Sequence, residues 1–113
     1  MIDRINILKC LISFSQPLNE ISHNLANLHW DPEGEPFIVE SIEIVQVLKK
    51  YTVNEINSLA LEQWANMIEC REDIVFQKSK ENEIAHIIYY LANPELEGEV
   101  TPELCKRFIK ELH

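Results

Sequence analysis

Apolar residues return every three or four positions through most of this chain, and the runs are broken by prolines and by its only two glycines. Residues at that spacing share one side of a helix. A helix with one apolar stripe must cover it against another element, so the pattern restricts the chain to helices packed stripe against stripe. The first run, residues 3–14, aligns Ile5, Leu8, Leu11 and Ile12. Gln16-Pro17 opens a second, because proline at the start of a helix gives up no hydrogen bond and has its φ preset. Its inner face is Leu18, Ile21, Leu25 and Leu28. Residues 31–36, Asp-Pro-Glu-Gly-Glu-Pro, form a loop.

Beyond the loop, Ile38, Ile42, Val45 and Leu48 keep helical spacing, although so many β-branched residues leave a strand open as an alternative. Thr52-Val-Asn-Glu55 reads as a capping box, in which the Thr hydroxyl and the Glu carboxylate satisfy each other's backbone N–H groups. The following helix carries Leu61, Trp64 and Ile68 to about Arg71, and Asn57 or Ser58 offers an alternative start. Ile74-Val-Phe76 is short and extended or irregular. Ser79 caps a helix with Ile84, Ile87, Ile88 and Leu91 inside, and Asn93-Pro94 stops it, since the residue before proline avoids helical geometry. Thr101-Pro-Glu103 opens the last helix, docked by Leu104, Phe108, Ile109 and Leu112. The expectation is an all-α, compact bundle of five to six helices. It forms a single domain over residues 1–113, and its core includes Leu25, Leu48, Trp64, Ile68, Ile88 and Phe108.

A chain of 113 residues buries about two thirds of the surface its unfolded form exposes, enough for one modest core. No apolar run reaches the roughly 18 residues of a membrane span, and Met1-Ile-Asp-Arg-Ile-Asn lacks the layout of a secretory signal, so a cytoplasmic location is expected. Cys10, Cys70 and Cys105 are odd in number and far apart, which suits reduced thiols packed as small hydrophobes.

Net charge is −9, which disfavours nucleic acid and anionic membranes and favours a basic protein partner. Between Cys10 and Cys70, nine acids face only Lys49 and Lys50, so that span holds −7 of the total. It serves either as a solvated surface or as an acidic docking face. Trp30 stands at its proline-bounded loop, as a lid over the core edge or as an aromatic anchor among carboxylates. The candidate partner-binding residues are Trp30, Asp31, Glu33 and Glu35, with Glu69, Glu72 and Asp73 as a second patch. Glu72 and Asp73 would oppose a helix dipole if they ended a helix, so they start the next turn or are kept for a partner.

Two Glu-x-x-His pairs, Glu20/His23 and Glu83/His86, have the spacing of di-iron bundles, but on a helical wheel both pairs fall opposite the apolar stripes, where a dinuclear site cannot form. There is no Gly-x-Ser-x-Gly and no glycine-rich phosphate loop. Cys70 lies beside Glu69 and Glu72, carboxylates that make it a poor nucleophile. No catalytic residue, metal or cofactor is therefore expected.

Leu61-Glu-Gln-Trp64-Ala65-Asn66-Met-Ile68-Glu69-Cys-Arg71-Glu-Asp73-Ile74, followed by Leu91-Ala-Asn-Pro94, resembles a pattern in small helical bacterial immunity proteins of contact-dependent growth inhibition. The resemblance covers roughly a third of the chain. It implies a monomer that binds, one-to-one, the toxic C-terminal domain of a large secreted adhesin, often a basic nuclease, and blocks it. A regulatory adaptor with an exposed apolar patch around Ile74-Val-Phe76 and, further off, a small enzyme are the alternatives.

Overall fold

The computed structural model describes residues 4–26 and 36–112. In chain order these form α1 (Arg4–Ser13), α2 (Leu18–Ala26), β1 (Phe37–Val39), α3 (Ser41–Thr52), α4 (Ser58–Glu69), β2 (Ile74–Phe76), a 3₁₀ turn (Lys78–Lys80), α5 (Glu81–Ala92), α6 (Pro94–Glu97) and α7 (Pro102–Leu112). The architecture is the expected helical bundle, with seven helical segments among the described residues rather than five to six, and one two-stranded ribbon. α3 packs on α7, α4 on α5, and α1 on both α2 and α3.

The core is made where the stripes meet. Leu8, Leu11 and Ile12 of α1, Ile44, Val45 and Leu48 of α3, Leu61, Trp64 and Ile68 of α4, and Ile84, Ile87 and Ile88 of α5 are all buried. Of the six expected core residues, Leu48, Trp64, Ile68, Ile88 and Phe108 are buried, while Leu25 is half-buried at the margin. Trp64 is fully enclosed and its indole Nε1 donates to the Leu11 carbonyl at 2.7 Å. A buried indole N–H without a partner would be costly; here it binds α4 to the end of α1.

Two helix ends explain much of the chain path. α1 closes with Phe14 at φ 51°, with Phe14 N–H on the Leu11 carbonyl and Ser15 N–H on that of Cys10. This is a Schellman closure, with an aromatic residue in the left-handed position usually given to glycine. Lys50 Nζ donates to the carbonyls of Ser13 and Phe14, both at 3.0 Å, placing a cation at the negative end of α1. α3 closes in the same way, with Asn54 at φ 65° and Glu55 N–H on the Lys50 carbonyl.

That second closure corrects the expected capping box at Thr52. Thr52 ends α3 and its hydroxyl donates back to the Lys49 carbonyl at 2.8 Å, because Asn54 takes the left-handed conformation more readily than other non-glycine residues. α4 starts instead at the alternative cap, Asn57, whose side chain accepts from Ala60 N–H at 2.8 Å.

The helix expected over Ile38–Leu48 is also corrected. Residues 37–39 form a strand and the helix begins at Ser41, where Glu43 Oε1 accepts from Glu40 N–H at 2.9 Å and Gln77 Oε1 from Ser41 N–H at 3.0 Å. The change of element resets the phase, so Ile38 and Ile42 face outward and Ile44, Val45, Val47 and Leu48 face inward. β1 and β2 pair in parallel with Phe37 opposite Ile74, Ile38 opposite Val75 and Val39 opposite Phe76.

At the next start, Ser79 lies inside the 3₁₀ turn and accepts from Gln77 Nε2 at 2.7 Å, while α5 begins at Glu81; Ser79 is therefore not its cap. The Thr101 cap is present, with its hydroxyl accepting from Leu104 N–H at 3.1 Å. No helix among the described residues is long and apolar enough to cross a membrane.

Candidate functional site

Parallel pairing brings the N-terminal ends of β1 and β2 to one place. Phe37 N–H donates to the Asp73 carbonyl at 2.7 Å, and Gln77 N–H to that of Val39 at 2.8 Å, fixing the two ends of the ladder. Glu69 and Glu72 lead into β2 and are exposed. Asp73 differs: Arg71 Nε and Nη2 donate to its two carboxylate oxygens at 2.9 and 2.7 Å, and its side chain is almost covered. The bidentate grip draws on the Asp73 charge and raises the Arg71 pKa. Trp30, Asp31, Glu33 and Glu35 lie outside the described residues. On the outer face of the ribbon, the register pair Ile38 and Val75 is solvent-exposed, Ile38 at 59%. An apolar pair and two free carboxylates thus share the sheet end of the molecule.

A second region lies at the other end of the antiparallel α4–α5 pair, roughly 15–18 Å away at about 1.5 Å per helical residue. There the start of α4, the end of α5 and the 98–100 turn enclose a groove of about 250 Å³. Tyr90, Leu91, Pro94 and Val100 line it, Leu59 forms its edge, and Glu62 and Glu99 stand at its rim. A second depression of about 370 Å³ adjoins it at Glu62 and Pro94 and continues to Glu95 and Leu96. Leu59 and Leu96 are 58% and 73% exposed. The far wall is held firmly: Gly98 adopts φ 103°, which side chains with a Cβ rarely do, and its N–H donates to the Pro94 carbonyl at 2.8 Å. Tyr51 Oη donates to the Val100 carbonyl at 3.2 Å. Burial first, then nearby Cys105 and the carboxylates of Glu103 and Glu99, push the Tyr51 phenol above its ordinary pKa of 10.0.

Sequence reasoning did not single out this groove. The signal was there, since between Lys80 and Lys106 the chain has six acids and no lysine or arginine. Leu59 was also visible as an apolar residue out of phase with Leu61, Trp64 and Ile68.

The two Glu-x-x-His pairs point where the wheel put them, with Glu20, His23, Glu83 and His86 all exposed. His86 packs edge-on against Tyr90 and Phe108, with ring centroids 6.4 and 6.3 Å away. Cys105 is buried, and burial pushes its thiol pKa up to about 12, whereas Cys70 is exposed and Cys10 half-covered. No family model matches this chain, nor does any curated protein or any solved structure.

Proposed function

We propose that this chain is an immunity-type protein that binds a basic toxin domain one-to-one and neutralises it by covering its surface with carboxylates. The observation that carries the reading is the sheet end, where exposed Glu69 and Glu72 precede the strand whose exposed Val75 pairs with exposed Ile38. Apolar anchors ringed by charge are how compact interfaces combine affinity with orientation. The −7 span and the resemblance around Leu61–Ile74 support the same reading. Complementary potential would speed encounter with a cationic domain, and the protein would need no reacting group of its own.

Co-expression with the toxin domain encoded beside it tests the proposal. Wild-type chain is expected to preserve cell survival, and Glu69→Lys with Glu72→Lys to reduce it without changing the melting temperature. Cells that die despite folded wild-type protein overturn the reading. A regulatory adaptor is the second reading, supported by the same exposed Ile38–Val75 pair. It is favoured if Ile38→Ser abolishes capture of a non-toxin partner while the two charge reversals do not.

A further inference from the structure

The groove between α4, α5 and the 98–100 turn combines three properties that together define what can fill it. Its floor is apolar, formed by Tyr90, Leu91 and Val100, and Leu59 projects beside it with more than half its surface in water. Its rim carries Glu62 and Glu99. Among the described residues no lysine or arginine lines it, and the sequence has none between residues 80 and 106 to neutralise it from its own segment.

We infer that this groove is a docking site for a segment of a partner protein in which a lysine or arginine stands beside an apolar residue. The apolar side chain covers Leu59 and the floor, and the cation meets Glu62 and Glu99. The inference rests on the reading of the chain as a binder of a basic protein and names a second contact, at the opposite end of α4–α5 from the sheet end. A partner cation here is drawn in by two carboxylates at once, and its apolar neighbour removes Leu59 from water. The wall that receives it is already fixed by Gly98 and by the Tyr51–Val100 hydrogen bond, so little ordering opposes binding. A second copy of the chain is a poorer occupant, because both copies carry −9.

The test uses the full chain, isotopically labelled, and two short capped peptides of equal charge, one of lysines interspersed with leucines and one of lysines interspersed with serines. The lysine–leucine peptide is expected to shift the amide resonances of Leu59, Glu62, Tyr90 and Val100 saturably, and to bind at least about tenfold more tightly than the lysine–serine peptide. Glu62→Lys with Glu99→Lys should abolish those shifts, and Leu59→Ser, at a side chain more than half exposed, should weaken them about tenfold. The control reversal Glu20→Lys with Glu83→Lys, exposed on α2 and at the start of α5, should leave them unchanged. Equal binding of both peptides, shifts spread over the whole acidic surface, or self-association that moves the same resonances without peptide would each overturn the inference. Because no toxin enters the experiment, its outcome is independent of the survival assay.

Discussion

Leu59 and Leu61 stand two residues apart on α4 and meet opposite fates. Leu61 is wholly buried beside Trp64, whereas Leu59 is 58% exposed at the edge of an acidic groove. Two residues are about 200° of helix, so the two leucines lie on opposite sides of α4. The lesson concerns what an apolar residue is for. Leu61 belongs to a face on which every neighbour is covered and Trp64 adds a hydrogen bond to α1; Leu59 belongs to a face that the fold leaves without cover. One face holds the protein together, and the other is available to something else.

The contrast is broken if substitutions on the two faces have similar effects on stability. Trp64→Ala is expected to cost about 3–5 kcal/mol, a large part of the stability of so small a domain, and to lower the melting temperature sharply. Leu61→Ala should cost about 2–5 kcal/mol, while Leu59→Ala should cost under about 0.5 kcal/mol, both read by chemical denaturation. Comparable midpoints for the two leucine variants would contradict the distinction. Lys50→Met should cost about 1–2 kcal/mol, because it leaves two carbonyls at the end of α1 without their cation while keeping the side-chain length.

Smaller effects sharpen it. Gly98→Ala should cost about 1 kcal/mol through the backbone alone, since its φ of 103° is unfavourable for alanine; an added Cβ meets only Tyr90 Oη at 3.5 Å. The same variant should weaken lysine–leucine peptide binding more than it weakens folding. The cysteines give a chemical version of the comparison. In native protein a thiol reagent should titrate Cys70 at once and Cys105 only on unfolding. Because the folded-state pKa of Cys105 is raised from 9.0 to about 12, its contribution to stability is complete below pH 9 and is lost as pH rises from 9 towards 12. Denaturation midpoints across that window should fall less steeply in Cys105→Ala than in wild type.

Much of the fold was legible where one periodic run forms one helix. The inner face of α5, the Thr101 cap, the Asn93-Pro94 stop and the buried Trp64 all follow from spacing and local chemistry. The errors fall where elements change. Thr52 had the composition of a cap, but Asn54 two residues on enters the left-handed region and closes α3 at Thr52 instead. Ile38 had the right spacing for a helix, yet pairing with Val75 thirty-seven residues on made it a strand, and no local pattern records a partner so distant. The candidate site divides similarly. Glu69 and Glu72 are exposed as a partner contact requires, Asp73 is already held by Arg71, and the groove at Leu59 depends on three segments meeting, which charge counting between Cys10 and Cys70 could not reveal.

In the proposed function, exposed carboxylates acting on a basic protein carry the activity while the buried stripes carry only the fold. Its most direct test is the association rate of the purified chain with the toxin domain encoded beside it, measured at low and at physiological salt. Exposed charges are screened beyond about 8–10 Å at physiological ionic strength, so the account predicts a one-to-one complex whose association slows at least about tenfold as salt is raised. Absence of a complex, or an association rate indifferent to salt, would contradict it.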